Sequence, residues 1–244
     1  MTYLHGIKIF HVDIDGALEI IVKRIPEKRG DYFCFLNIHL VMEGVKSEQI
    51  KSVLNDSSGN LPDGMGVAWA LKFLGHRFEG RVRGTDLMLK LCEYASKKNL
   101  KIYLYGNTEQ TLISLREKLM KDFPGIEAIE YFSPPFRELT EQEDKEIVER
   151  INQANPDIIF VSLGAPKQEI WMAKHKGKIK AVQLGVGAAF DFITGNVRQA
   201  PEWMQKSGLE WFYRLPQQPR KTLYRMSLVP EFLWRTLKGL RDKG

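Results

Sequence analysis

Between residues 101 and 187 the chain repeats one pattern, a short apolar run followed by a longer amphipathic one. "KIYLYG" (101–106) predicts a strand, and "TEQTLISLREKLMKDF" (108–123) a helix with Thr108 as its cap. "IEAIEYF" (126–132) predicts a strand, and "TEQEDKEIVERINQA" (140–154) a helix opened by the Thr-x-x-Glu signature of Thr140 and Glu143. "DIIFVSLG" (157–164) and "AVQLGVG" (181–187) are strands apolar on both faces, separated by a helix at "KQEIWMAKHK" (167–176). Upstream the alternation is less regular. Strands are expected at 7–12 and 32–38, and helices at 16–25, 47–54 and 86–98. Strands alternating with helices at this spacing require a parallel sheet covered on both faces. The expected fold is α/β, a doubly wound Rossmann-like parallel sheet, followed by a basic, helical C-terminal appendage.

The appendage shows in the charge. From Arg214 to Gly244 eight basic residues stand against Glu231 and Asp242, so this segment accounts for the whole net charge of +6. A basic tail on a neutral body suggests an anionic partner: phosphate, nucleic acid or membrane surface. The expected division is a core at 1–208 and an appendage at 209–244. A chain of 244 residues accommodates that as one large domain with an addition. The opening "MTYLHGIKIFHVDIDG" has no basic start followed by an apolar core, and no apolar run is long enough to span a bilayer. Cys34 and Cys92 both lie in apolar segments and read as buried thiols of a reducing compartment. A cytoplasmic location is expected.

A doubly wound sheet binds ligands beyond the carboxyl ends of its strands. Three strands end in glycine there: "LYGN" (104–107), "SLGAPKQE" (162–169) and "GVGAAFDF" (185–192). Glycine admits close backbone approach to a phosphate, and a helix N-terminus behind it offers free N–H donors. Together these loops predict a diphosphate ligand held near Gly106, Asn107 and Gly187. "GVGAAF" breaks the G-x-G-x-x-G dinucleotide fingerprint at its last position, which argues against a nicotinamide enzyme. Lys167 and Gln168 open the helix after "GAP" and are placed to hydrogen-bond a ligand, while Glu169 complements the helix dipole. Asp191, between two phenylalanines, is either a buried hydrogen-bonded carboxylate or a ribose contact.

"NLPDGMG" (60–66) holds Asp63 between proline and glycine, ahead of a helix expected at 67–75. Asp63 either caps that helix or is displayed by the turn for chemistry. The five histidines form no metal-ligand spacing, two distant cysteines make no zinc site, and no G-x-S-x-G elbow occurs. Asp13-x-Asp15 matches a pattern of metal-dependent sugar transferases, but it opens a helix before Gly16 and reads as capping and turn chemistry. No metal and no cofactor are expected.

The blocks "LPDGMGVAWALKFLG", "RVRGTDLMLKLCEYA", "YFSPPFRELTEQED", "LGAPKQEIWMAKH" and "GVGAAFDFITGNVRQAPEWMQKSGLEWFYRL" occur in this order. Together they resemble the WecG/TagA/CpsF glycosyltransferases from about Asn37 to the end of the chain. The resemblance implies inverting, metal-independent transfer of a sugar of the N-acetylmannosamine, N-acetylmannosaminuronate or glucose type. The donor would be a UDP-sugar and the acceptor an undecaprenyl-diphosphate-linked sugar at the inner face of the cytoplasmic membrane. The product would enter capsule, teichoic acid or another surface glycan. Asp63 falls on the family's general-base position, Arg81 on its arginine before "GTD", and Gln168 on the glutamine of "PKQE". Arg214, Arg220 and Arg225 fall in the tail that members use near the lipid diphosphate. Where many members have threonine this chain has Phe35, and Asn37 and His39 are the candidates to take over part of that role. The physical reading agrees: inverting transfer needs one base for the acceptor hydroxyl and positive charge or N–H groups for the departing diphosphate. A second carboxylate of the kind a glycoside hydrolase needs is absent around Asp63. The alternative is a non-catalytic basic module on a membrane surface or nucleic acid; the main reading has no nucleic-acid partner and leaves homo-oligomerisation open.

In "SLVPEFLWRTLKGL" (227–240), Val229, Leu233, Leu237 and Leu240 share a helical face with Phe232 beside it. That helix either packs on its own domain or lies in a membrane interface.

Overall fold

The computed structural model describes residues 1–76 and 80–241. Asp242 and Lys243 of the basic tail lie outside the described residues.

The chain opens with a hairpin of β1 (Thr2–Leu4) and β2 (Ile7–Ile9), then α1 (Ile14–Arg24). Next come β3 (Tyr32–Leu36), α2 (Ile38–Lys46), α3 (Glu48–Asp56), β4 (Gly59–Pro62), α4 (Met65–Phe73) and α5 (Gly84–Lys98). The regular series follows: β5 (Lys101–Gly106), α6 (Glu109–Asp122), β6 (Ala128–Phe132), α7 (Glu141–Gln153), β7 (Ile158–Ser162), α8 (Lys167–Lys174), β8 (Val182–Gly185) and α9 (Ala189–Thr194). Four helices close the chain: α10 (Glu202–Lys206), α11 (Glu210–Arg214), α12 (Pro219–Ser227) and α13 (Val229–Arg241).

Six strands form one parallel sheet in the order β4-β3-β8-β7-β5-β6. Side chains alternate across it with the two-residue period of a strand. Tyr32, Cys34, Leu36, Tyr103, Tyr105, Ile159 and Val161 face one side, where α2, α3, α7, α8 and Phe232 of α13 cover them. Phe33, Phe35, Ile102, Leu104, Ile158, Phe160 and Leu184 face the other, under α1, α5, α6 and Phe190 of α9. The doubly wound α/β expectation therefore holds, and both cysteines are buried free thiols. Thr108 caps α6, and Thr140 with Glu143 forms a reciprocal capping box on α7, as their letters predict.

Three features near the N-terminus depart from the sequence reading. The strand expected at 7–12 is β2, which pairs antiparallel with β1 and stays outside the main sheet. Its two-residue turn, His5 and Gly6, has φ of 51° and 81°, the doubly positive geometry that suits a tight hairpin. The strand expected at 32–38 stops at Leu36, because Asn37 caps α2 by accepting the Leu40 N–H. The third is an edge strand that was not anticipated, β4, four residues long and ending in Pro62.

The connections open the site. After β3 the chain turns to α2 on one face, whereas after the neighbouring β8 it turns to α9 on the other. Loops that part in this way leave a crevice at the carboxyl edge of the sheet.

Candidate active site

Asp63 follows directly on β4, and its N–H donates to the Leu36 carbonyl at 2.8 Å, so the end of β3 fixes its backbone. It does not cap α4. Gly64 is the cap residue, at φ 99°, and no side chain bonds the first turn. The carboxylate instead faces Arg81, with Oδ1 3.5 Å from Nε, an ion-pair contact rather than a formed hydrogen bond. Arg81 is anchored from behind: Nη2 donates to both oxygens of Glu210 at 3.1 Å and Nη1 to the Gln205 carbonyl at 3.2 Å. Val82 N–H bonds the Pro62 carbonyl at 2.8 Å and brings this segment alongside β4.

The charges around Asp63 oppose one another. Burial raises its pKa above the ordinary carboxylate value; Arg81 pulls it down, Glu210 pushes it up, and Arg214 and Arg83 pull it down again. Even so, 26% of the side chain stays open to solvent, enough for a hydroxyl to reach it. Burial works against the Arg81 charge, but Asp63 and Glu210 offset that and hold its pKa above normal. Arg225 of α12 is depressed by burial and by Arg214, with Asp63 opposing. Two guanidiniums that repel each other beside one carboxylate leave cationic capacity for an anion.

Arg214 also sits 5.1 Å over the Phe192 ring, linking α11 to α9. His39 lies under Tyr224 with ring centroids 5.7 Å apart and Nε2 3.4 Å from Glu43. Burial and Arg225 lower its pKa against the pull of Glu43, and its Nδ1 has no hydrogen-bond partner. Arg220 is exposed and makes no hydrogen bond or ion pair among the described residues. Asp63, Arg81, Arg214 and Arg225 thus form one electrostatic cluster, with His39 at its border and Arg220 apart. Asn37 stands beside it as the cap of α2, its Cβ within 3.5 Å of where a Gly64 Cβ would be.

The glycine-ended loops form the second half of the edge. At Gly106, φ is 99° and an added Cβ would lie 2.6 Å from the Ser162 carbonyl oxygen, so only glycine fits. Asn107 accepts from Thr108 N–H at 2.7 Å and donates to Asp191 Oδ1 at 3.1 Å. Asp191 is therefore hydrogen-bonded yet only partly buried. Ser162 Oγ donates to the Gly187 carbonyl at 2.7 Å.

Lys167 is exposed, whereas Gln168, the other residue placed to hydrogen-bond a ligand, is buried. Its amide donates to Gly185 O at 2.6 Å and to Glu169 Oε1 at 2.8 Å, and accepts from Gly164 N–H at 3.2 Å. It clamps the loops after β7 and β8 from beneath. Glu169 is fully buried, one oxygen without a partner, and burial pushes its pKa up to about 7. It lies in the first turn of α8, where the expectation of a dipole partner put it, but inside the protein.

The Asp13-x-Asp15 pair behaves as its capping reading requires. Asp13 accepts the Gly16 N–H at 2.8 Å, and Asp15 pairs with Lys90. Among the described residues no group of three or more His, Cys, Asp or Glu could hold a metal ion. Two participants escaped the sequence reading. Glu210 is one; the other is Arg83, which bonds Gln199 at 3.2 Å and Asp86 at 3.4 Å. Nothing local in the sequence signals Glu210, whose partner Arg81 lies 129 residues away.

Known proteins match this chain over almost all of its length. An N-acetylglucosaminyldiphosphoundecaprenol N-acetyl-beta-D-mannosaminyltransferase of Bacillus subtilis is 31% identical over 98% of this chain and 92% of its own. The protein of the same name from Bacillus spizizenii is 30% identical over 89% and 82%. One from Staphylococcus aureus is 28% identical over 84% and 79%. The model of the glycosyl transferase WecG/TagA/CpsF family matches residues 2–243, and the chain belongs to that family.

Proposed function

We propose that this glycosyltransferase moves N-acetylmannosamine from a UDP-linked donor to N-acetylglucosaminyl-diphospho-undecaprenol, in the building of a surface polysaccharide. Membership of the family makes the chain an enzyme rather than the non-catalytic basic module considered above. The choice of sugars rests on the names of its relatives.

One observation carries the mechanism: a partly open carboxylate, Asp63, with a raised pKa, at the carboxyl edge of the sheet and ringed by arginines. In the proposed step the acceptor hydroxyl gives its proton to Asp63 while its oxygen forms a bond to the anomeric carbon. The bond from that carbon to the donor diphosphate breaks, and its electron pair leaves with UDP. One displacement inverts the anomeric centre. Gly106, Asn107, Gly187 and the start of α8 are the proposed cradle of the UDP diphosphate, with Asp191 toward the ribose and Lys167 at the rim. Arg214 and Arg225, with Arg220 beyond them, are assigned to the acceptor diphosphate. Asn37 and His39 border the sugar between the two groups.

No helix among the described residues is long and apolar enough to cross a membrane. The proposed location is therefore peripheral, at the inner face of the cell membrane, reached through the segment 209–244. Following UDP release from a panel of UDP-sugars with a short-chain diphospho-N-acetylglucosamine acceptor tests the reading. UDP-N-acetylmannosamine should turn over fastest, and a different preferred donor would overturn the sugar assignment.

A further inference from the structure

Asp63 and Glu210 compete for one guanidinium. Glu210 belongs to α11, in the segment that follows the last sheet strand, and Arg81 lies 129 residues earlier. Both Glu210 oxygens take Arg81 Nη2 at 3.1 Å, whereas Asp63 receives only the looser 3.5 Å approach of Nε. The Gln205 carbonyl holds the remaining Nη1 at 3.2 Å. The guanidinium is thus oriented entirely by the α10–α11 segment, with its bare Nε edge turned to the carboxylate.

From this geometry we infer that Glu210 is a positioning residue for Asp63, holding Arg81 beside the base while drawing off part of its charge. The inference rests on Asp63 being the base. An arginine paired with Asp63 alone would stabilise the carboxylate and weaken it as a proton acceptor. Shared with Glu210, Arg81 still orients Asp63 but leaves it basic. The other charges facing Asp63 are Arg83 ahead of α5, Arg214 on α11 and Arg225 on α12, all positive. Glu210 is the acid that opposes them, in line with its upward push on Asp63. Glu210 and Gln205 both belong to the α10–α11 segment, so the setting of the base depends on the position of that segment.

The test is the pH profile of kcat/KM for the wild type, E210Q and E210D, with D63N as the control. The substrates are UDP-N-acetylmannosamine and the short-chain acceptor analogue, and circular dichroism melts report folding. Losing the Glu210 charge should move the acid limb down by roughly one pH unit, since it frees an opposite charge to act on Asp63. The plateau should fall by about tenfold as the base weakens. E210D, with its charge drawn back by one methylene, should lie between the two. If E210Q does not fold, E210D alone is read, and a limb moved to lower pH supports the inference. An acid limb coincident with that of the wild type in the folded variant overturns it, whatever the loss of rate, because an anchor for α11 alone would not move the limb. Near-normal transfer by D63N removes the base reading and this inference with it. An inactive D63N with an unmoved Glu210 limb removes only the inference.

Discussion

Asp63 is held by the end of a strand and by an arginine, and that decides what its replacement should do. Gly64, not Asp63, caps α4, so neither Asn nor Ala at position 63 removes a helix cap. Asp63→Asn and Asp63→Ala should both fold with stability within about 1 kcal/mol of the wild type, as for sites outside a cap or core. Turnover should drop by roughly two to four powers of ten in each, the usual worth of a positioned base. Thermal melts beside initial rates check both halves, and a full rate in either variant would return Asp63 to a structural role. The wild-type rate should rise with pH through a pKa above the ordinary carboxylate value, because only the ionised Asp63 accepts the proton. A second residue-scale prediction concerns metal. Asp13 serves as a helix cap and Asp15 pairs with Lys90, so UDP release should persist in excess EDTA and in Asp15→Asn. Loss of turnover restored by Mn²⁺ would reverse this. The letters "PDG" made Asp63 visible but left cap and display undecided, since the positive φ of Gly64 is a property of the folded turn. Glu210 was not legible at all, because nothing local in "GLEWFYR" announces a partner 129 residues away.

At the scale of elements, the start of α8 is where polar side chains hold the sheet edge from within. Gln168 joins the loops after β7 and β8, so Gln168→Ala leaves the Gly185 carbonyl, the Gly164 N–H and Glu169 without their partner. Stability should fall by about 1–3 kcal/mol, the penalty for orphaned buried polar groups, and donor affinity should weaken through the displaced loops. A stable variant with unchanged donor affinity would contradict this. Glu169 gives a pH dependence whose sign follows from its burial. The unfolded chain releases this proton near the ordinary value of 4.5, while the fold retains it to about 7. Between those pH values the folded state binds more protons, so the Glu169 contribution to stability falls as pH rises. Glu169→Gln should remove this fall, gaining up to about 3 kcal/mol on the wild type at pH 8 relative to pH 4, as urea melts at both pH values would show. Equal pH slopes would argue that the carboxylate is paired after all. The strands β5, β7 and β8 were legible because each is a largely apolar run between helical patterns, and β6, interrupted by the exposed Glu130, because it lies between two clear helices. β4 was not, since four residues ending in proline carry no period, and its place outside β3 is set by a neighbour rather than by its own letters. The hairpin strand β2 read correctly as a strand, but its partner β1 is three residues long and its pairing is not encoded in periodicity.

The whole molecule combines a buried sheet, a crevice at one edge and a tail that is half core and half surface. α13 packs inward through Phe232 and Thr236, both buried, with His5 edge-on to Phe232 at 5.3 Å. This meets the reading in which the helix packs on its own domain, and the interfacial reading stays a proposal for its outer face. Leu233, Trp234 and Leu237 are 53–58% exposed, while Leu240 lies outside the described side chains. Trp203, Phe212, Leu223 and Tyr224 add to the apolar surface of the same C-terminal segment. Together with the basic residues Arg220, Lys221 and Lys238 of the same helices, these exposed apolar side chains are the proposed contact with an anionic membrane. Truncation cannot test this cleanly, because removing α13 would also take Phe232 out of the core. Substitution of the outer face can. Trp234→Glu with Leu237→Glu leaves Phe232 and Thr236 in place, so the fold and turnover on a water-soluble short-chain acceptor should be retained. Sedimentation with phosphatidylglycerol vesicles should fall by tenfold or more, since two buried apolar groups are lost and two repelled charges are gained. Turnover on a full-length lipid acceptor in those vesicles should fall in parallel. Undiminished vesicle binding by the double variant would place the membrane contact elsewhere, and loss of activity on the soluble acceptor would mean that the outer face of α13 serves the crevice rather than the bilayer.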